Sequence, residues 1–331
     1  MHGWLIIDKP VGPGSTQIVS AVKRALREGG YPKVKVGHGG TLDPLASGVL
    51  PVALGEATKL AGRMLDSDKA YDFTIRFGEE TSTLDGEGEV VATSDVRPTL
   101  AQVENVLPRF TGPIEQVPPI YSALKVDGRR AYDLARAGEE VVLVGRHVTI
   151  HSLSVRVERS RDTPSSQAEK VSLDYARQGP STSLGTNGMG EALLHEITLS
   201  ASVSKGTYIR SLARDIASAL GTVGHVTMLR RVKAGPFTLA SAISLDKLGE
   251  LGKARQLEQA LLPLTAGLDD IPALPVTPDQ ARALREGRRL AGIAAKPGLH
   301  LATEGSVPVA LVELVGGELR PELKVVRGFN L

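Results

Sequence analysis

The chain has 331 residues, 41% of them hydrophobic and 23% charged, with a formal net charge of +2. That length allows a sizeable core and about two domains. The absence of cysteine excludes disulfides, thiolate nucleophiles and cysteine-bearing zinc sites.

No apolar run approaches the ~20 residues of a membrane helix. The start, MHGWLIIDKPVGPG, lacks the basic flank, long apolar stretch and cleavage site of a secretory signal, so a cytoplasmic location is expected. WLIIDKP reads as a short strand ending at a turn. STQIVSAVKRALREGG reads as a helix: Ser15 or Thr16 caps it, Ile18, Val19, Val22 and Leu26 form its apolar stripe, and Gly29 stops it. Its other face carries Lys23, Arg24 and Arg27, with Lys33 and Lys35 following. Such clusters, like Arg230, Arg231 and Lys233 further on, suit phosphate neutralisation, although surface helices are also routinely basic.

AYDFTIRFG alternates as a half-buried strand does, and LDGEGEVV reads as a turn into the next strand. PTLAQVENVLPRF is an amphipathic helix with Thr99 near its start. HVTIHSLSVRVE and ALLHEITLSASVS are period-2 strands expected to pair. Between them, residues 159–191 are rich in Ser, Gly, Gln, Thr and Pro, which reads as a long, largely disordered excursion from that hairpin. TYIRSLARDIASALG places Ile209, Leu212, Ile216 and Leu220 on one helical face, closed by Gly221. Residues Gly224 to Phe237 lead into the basic MLRRVKAGPF.

A boundary is expected around residues 262–275, where prolines punctuate LPLTAGLDDIPALP. Beyond it, TPDQARALREGRRL opens with Thr277 as N-cap, Pro278 at the first helical position and Gln280 completing a capping box. VPVALVELVGGELRPELKVV then reads as two strands joined across Gly316 and Gly317. One helix and several short strands in about 60 residues indicate a small β-rich module.

Little in the sequence suits metal or phosphate-loop chemistry. The seven histidines are scattered, and LLHEITLS is not a two-histidine metalloprotease helix, so no metal site is expected. GHGG lacks the Lys-Ser/Thr of a phosphate-binding loop, and no nucleophile elbow supports serine hydrolysis.

What stands out is Asp43, the one acid in the first half of GHGGTLDPLASGVLPVALGEATKL. Asp-Pro commonly starts a turn. The other reading is a nucleophile: an Asp among Leu42, Leu45 and glycine backbone is poorly hydrated and, paired with one cation, both ionised and reactive. Arg210 in SKGTYIRSLARD, after a β run and at the opening of a helix, suits a buried guanidinium making a two-point contact with a carboxylate. An ordinary surface ion pair is the competing reading.

These segments resemble one family. GHGGTLDPLASGVLPVALGEATKL is similar to the signature motif of the TruB family of tRNA pseudouridine synthases. DKPVG, DKAYDFTIRFG, and SKGTYIRSLARDIASALG followed by LRRVKAGPF match it in order and spacing, over roughly residues 3 to 245. The resemblance implies an α+β fold, a mixed, largely antiparallel sheet flanked by helices. The catalytic domain would span 1–265, with a thumb-like tRNA-binding insertion at 113–147, and a small C-terminal PUA-like RNA-binding module would span 266–331.

It also implies a reaction needing no cofactor: isomerisation of a T-loop uridine of tRNA (position 55 in the family's name) by cleavage of C1′–N1 and rejoining through C5. Asp43 would be the nucleophile or base, forming a sugar adduct or taking the C2′ proton to give a glycal. Tyr71 would stack on the target base, and His38 would enter the tRNA as the uridine flips out. Tyr208 and Arg210 would line the pocket, Arg210 pairing with Asp43, and Leu229 would pack on the base. Lys125, Arg129, Arg130 and Arg136 of the thumb would contact phosphates.

The implied partner is the tRNA T-arm, bound by a monomer with neither membrane nor guide RNA, since the chain has its own thumb-like segment. A tRNA-folding chaperone with dispensable catalysis is the alternative. Two positions depart from the family pattern: Gly14 stands where Thr or Ser is common, and Gly39 where Thr is frequent.

Overall fold

Elements of both periodicities form where the hydrophobic pattern changes step. In a computed structural model the described residues are all but 123, 127, 157–184, 187–191, 294 and 316–321. The chain packs into two units, one of 1–44, 48–65 and 233–331, the other of 45–47 and 66–232.

In the first unit, β1 (Gly3–Lys9) carries the buried Trp4, Leu5, Ile6 and Ile7. Helix α1 (Ser15–Glu28) buries the expected Ile18, Val19, Val22 and Leu26. Its N-cap is Gly14, not Ser15 or Thr16: having no side chain, Gly14 leaves the end to be closed by Gln17, whose Oε1 accepts from the Gly14 N–H at 2.7 Å. Ser15 is thereby released for another contact, described below. β2 (Val36–His38) and β1 both pair antiparallel with β3 (Ala46–Leu54), and α2 (Ala61–Asp66) follows.

The second unit is a sheet with helices packed against it. It contains β4 (Lys69–Phe77), the hairpin β5 (Glu79–Thr81) and β6 (Val90–Thr93), α3 (Leu100–Val106) with Thr99 as N-cap, and β7 (Gly112–Gln116). The thumb-like stretch forms the short ribbon β8 (Lys125–Val126) and β9 (Arg129–Arg130), then α4 (Ala131–Arg136). After β10 (Arg146–Val155), a two-strand ribbon joins β11 (Gly185–Thr186) to β12 (Ala192–Leu193).

Next come β13 (Glu196–Val203), α5 (Ile209–Ala219) and β14 (Gly224–Ala234). The strand order here is β14-β4-β13-β10-β7. β4, β13, β10 and β7 pair antiparallel in sequence, with Tyr71 opposite Ala201. β10 and β13 pair as expected, whereas most of the excursion at 159–191 lies outside the described residues. α5 lays Ile209, Leu212 and Ile216 into a core with Phe73, Ile75, Leu199 and Val226. β4 buries more than its alternation suggests, with Asp72 and Thr74 buried beside Ser200 and Thr198 of β13 as well as its apolar residues.

The chain returns to the first unit through β15 (Phe237–Thr238) and α6 (Leu245–Lys253). The C-terminal stretch forms a five-stranded sheet ordered β16-β18-β19-β20-β17, from β16 (Ala273–Pro275), β17 (Leu290–Ala291), β18 (Gly298–Glu304), β19 (Val307–Val315) and β20 (Glu322–Gly328). β19 and β20 pair antiparallel, and the expected Gly316–Gly317 junction lies outside the described residues. Helix α7 (Pro278–Arg285) has the capping box read from Thr277 and Gln280. Ala281, Leu284, Val309 and Val312 give this stretch a core of its own, while Leu301, Leu311 and Phe329 share a second core with Trp4 and Ile6.

Candidate active site

The residues picked out in the sequence fall in both units. His38 and Asp43 are in the first; Tyr71, Tyr208, Arg210 and Leu229 are in the second.

Asp43 lies half-buried in the loop between β2 and β3. Its neighbours on either side are tied down. The buried Ser15 Oγ accepts the Leu42 N–H at 2.8 Å and faces the Leu42 carbonyl at 3.1 Å. The Pro44 carbonyl accepts from the Gly12 N–H at 2.9 Å and from Lys9 Nζ at 3.2 Å. Lys9 is fully buried at the end of β1, its ammonium also donating to the Pro10 carbonyl at 2.8 Å. A residue pinned at both neighbours loses its conformational freedom at folding rather than at reaction, which is how a catalytic group is pre-positioned.

Ser15→Ala strands the buried Leu42 N–H, and the expected cost is about 1–3 kcal/mol. Chemical denaturation measures it; an unchanged midpoint would show that the clamp contributes nothing.

Gly39 also shapes this loop. A Cβ there would stand 2.6 Å from Met64 Cβ, so the threonine frequent in the family pattern does not fit beside Met64 as it is placed. His38, the last residue of β2, is half-buried and pairs with Val52 of β3.

Arg210 sits in the first turn of α5, 6% exposed. Its Nη1 donates to the Thr83 carbonyl at 2.9 Å and meets Asp85 Oδ2 at 3.1 Å, while Nη2 donates to the Tyr121 carbonyl at 3.0 Å. Asp85 is itself buried and accepts from Thr83 Oγ1 at 2.5 Å and from the Glu87 N–H at 3.1 Å. Between them Leu84 adopts φ +61°, left-handed backbone that costs a non-glycine residue about 1–2 kcal/mol. That turn presents the Thr83 carbonyl and the Asp85 carboxylate to the same guanidinium. Leu45, two residues after Asp43, has its Cδ1 3.9 Å from where a Cβ on Gly86 would stand, and Gly86 follows Asp85 in the chain. Ser47 Oγ accepts from Arg230 at 3.3 Å.

Tyr208 is N-cap of α5, and its backbone is gripped by one side chain. The buried Gln116 accepts the Tyr208 N–H at 2.8 Å and donates to its carbonyl at 3.1 Å. The Arg146 guanidinium lies 4.7 Å from the Tyr208 ring centre and donates to the Gly206 carbonyl. Tyr71 on β4 and Leu229 on β14 are half-buried and pack against the same core cluster. On the thumb, Arg130 and Arg136 both lie over the Tyr132 ring, at 5.7 and 5.6 Å, and Arg129 pairs with Glu139.

Lys69, two residues before Tyr71, is 8% exposed with Nζ on the Ser67 carbonyl at 2.5 Å. Burial first, and then the Arg231 and Lys205 cations, push its ammonium down to about 8 despite Asp66 and Asp68. Below about pH 8 the folded and unfolded chains are both protonated here. Between there and its ordinary value near 10.5 only the unfolded chain keeps the proton. Stability therefore rises with pH across that window, by on the order of 2–3 kcal/mol from this group. Denaturation midpoints at pH 7.5 and 10 for the protein and Lys69→Met measure it: the rise, taken as a difference, disappears in the variant.

Ser15, Lys9, Asp85 and Gln116 were not legible as site residues. Asp85 was hidden inside a stretch read only as a turn, and Ser15 inside a helix cap. Gln116 carries no local signal.

Among the described residues no cluster of His, Cys, Asp or Glu could hold a metal ion, and no helix is long and apolar enough to cross a membrane.

Solved structures of the same fold include a chain of "Structure of H/ACA RNP bound to a substrate RNA containing 2'-deoxyuridine", with TM-score 0.68 and 23% identity over 99% of this chain and 85% of that one. Another is a chain of "Crystal Structure of a Cbf5-Nop10-Gar1 Complex", at 0.67 and 24%, over 99% and 84%. "TruB family pseudouridylate synthase (N terminal domain)" matches residues 24–172, and "tRNA pseudouridylate synthase B C-terminal domain" matches 210–269. A protein of Novosphingobium aromaticivorans named tRNA pseudouridine synthase B is 60% identical over all of this chain and 98% of its own length. Its namesake in Zymomonas mobilis is 57% identical over 100% and 96%. An α+β enzyme fold of the isomerase class is thus established, and the chain belongs to the TruB family of pseudouridine synthases.

Proposed function

We propose that this isomerase converts a uridine in the T-loop of tRNA to pseudouridine, working as a single chain without guide RNA or cofactor, with Asp43 as nucleophile or base. The observation that carries the reading is the loop around Asp43, with Leu42 and Pro44 both tied down, together with the chain's full-length similarity to proteins named for this activity.

The target nucleotide leaves its stack at a cost of a few kcal/mol, with His38 entering the space it vacates. Asp43 attacks C1′ or removes the C2′ proton, and the C1′–N1 bond breaks. The freed uracil turns between Tyr71 and Leu229 and rejoins the sugar through C5; the C5 proton departs and N1 ends protonated. Arg210 serves Asp43 as a cation, and Tyr208 closes the pocket. The exposed Lys125, Arg129, Arg130 and Arg136 contact phosphates of the T-arm, and residues 266–331 act as a PUA-like RNA-binding module. The cytoplasm, where tRNA is available, is the proposed location.

The test is to incubate the purified chain alone with an unmodified tRNA transcript and map pseudouridine. Product in the T-loop is expected. No product, or product only when other proteins are added, overturns the reading.

A further inference from the structure

The basic face of α1 takes no part in the site described above. Lys23, Arg24 and Arg27 fall within an arc of about 100° on the helix, turned away from its buried stripe. Lys33 and Lys35 continue the same charge in the loop that follows. All five are exposed, and none makes an ion pair among the described residues.

The contrast with the C-terminal module is plain: Arg282, Arg285, Arg288 and Arg289 are each matched to a carboxylate within 3.6 Å. Residues 15–36 hold these five cations and one acid, Glu28, a net +4 against +2 for the whole chain, so the rest of the chain sums to −2. The positive field is therefore concentrated on this helix and its loop. The Thr16 and Ser20 side chains share its exposed face.

A helix C-terminus favours cations through its dipole, but only within the last turn. That accounts for Arg27 and, where α6 packs its Gly252 against Ala25, for Lys253; it leaves Lys23, Arg24, Lys33 and Lys35 unexplained. The position of the helix supplies the rest of the argument. Ser15, its first residue, grips Leu42 beside Asp43. At 1.5 Å per residue Lys23 and Arg27 lie about 12 and 18 Å further along the axis, a span of about four or five base-pair steps of a duplex.

We propose that the Lys23–Arg24–Arg27 face of α1, extended by Lys33 and Lys35, is a docking surface for the phosphate backbone of the same RNA whose nucleotide is held at Asp43. It grips a stem-like segment along α1, roughly 12–18 Å up the helix axis from Ser15. Unpaired guanidinium and ammonium groups interleaved with hydroxyls are donors suited to phosphate oxygens, and they position an RNA without reading its sequence. The inference rests on the proposed RNA substrate.

Its test compares the protein with the triple variant Lys23→Ala, Arg24→Ala, Arg27→Ala, in which alanine preserves the helix, and with Lys33→Gln, Lys35→Gln. Affinity for unmodified tRNA transcript is measured from 50 to 200 mM salt, alongside pseudouridine formation. The slope of log K against log salt is expected to fall by about 2–3 in the triple variant and by about 1–2 in the double. Low-salt affinity should drop roughly tenfold or more in the triple variant, and KM should rise by more than kcat falls. Unchanged slopes and KM in correctly folded variants overturn the proposal and leave an acidic protein as the partner for this face. If the unaltered chain binds tRNA but forms no pseudouridine, the proposed function fails, while the slopes still decide the docking surface.

Discussion

Asp43→Asn lowers the rate of pseudouridine formation by roughly 10⁴-fold or more, the scale seen when an enzyme loses its nucleophile, while tRNA binding is retained. The amide matches the carboxylate in shape, and the hydrogen bonds that tie down Leu42 and Pro44 are made without the Asp43 side chain. Those contacts survive the substitution, and what disappears is the charge proposed to attack C1′ or take the C2′ proton. A loss of that size corresponds to about 5–6 kcal/mol of transition-state stabilisation. Single-turnover assays with saturating enzyme, read together with equilibrium binding, separate the two effects. A variant that still makes pseudouridine at the original rate would remove Asp43 from the chemistry. Binding without product separates an isomerase from a tRNA-folding chaperone.

Arg210→Lys has the second largest expected effect, and it acts on both stability and activity. Activity suffers because an ammonium lacks the fork geometry. In the folded chain the guanidinium also joins the Thr83 and Tyr121 carbonyls to the buried Asp85 carboxylate. One ammonium on a shorter stem cannot reach all three, so at least one buried acceptor loses its donor, at about 1–3 kcal/mol. Arg210→Met goes further and leaves Asp85 uncompensated, at about 3–5 kcal/mol.

Adding Asp85→Asn to Arg210→Met should recover part of that loss, since the Asp85 charge is then removed together with its cation. Activity should fall at least about 100-fold in Arg210→Lys, the size of losing one aligned electrostatic donor. Denaturation of the single and double variants gives the coupling energy. A coupling near zero would show that Asp85 and Arg210 act independently.

Local features were the legible ones. The α7 capping box was read from Thr277, Pro278 and Gln280, and the α1 stripe from its spacing, because caps and periodicity are set by residues a few positions apart. The antiparallel β10–β13 pair was legible for the same reason, each strand carrying its own alternation. The family motif named Asp43 and Arg210 but not their surroundings.

Chain connectivity hides the rest. Ser15 and Leu42 are 27 residues apart, Gln116 and Tyr208 are 92 apart, and Thr83 and Arg210 are 127 apart. An Asp followed by Gly reads as a turn whatever reaches it from elsewhere, so Asp85 gave no sign that it neutralises a buried arginine. Ser15 suited a cap by type, and only the fold shows that Gly14 occupies that place while the Ser15 hydroxyl clamps the next loop.

The sequence by itself determined the elements and the family and pointed to Asp43 as the candidate acid, since each depends on near neighbours or on a contiguous motif. Which groups hold the neighbours of Asp43, and that a second carboxylate, Asp85, lies against Arg210, were decided by tertiary structure alone. Buried polar groups take whatever partner the packing brings within about 3 Å, and packing is not ordered along the chain.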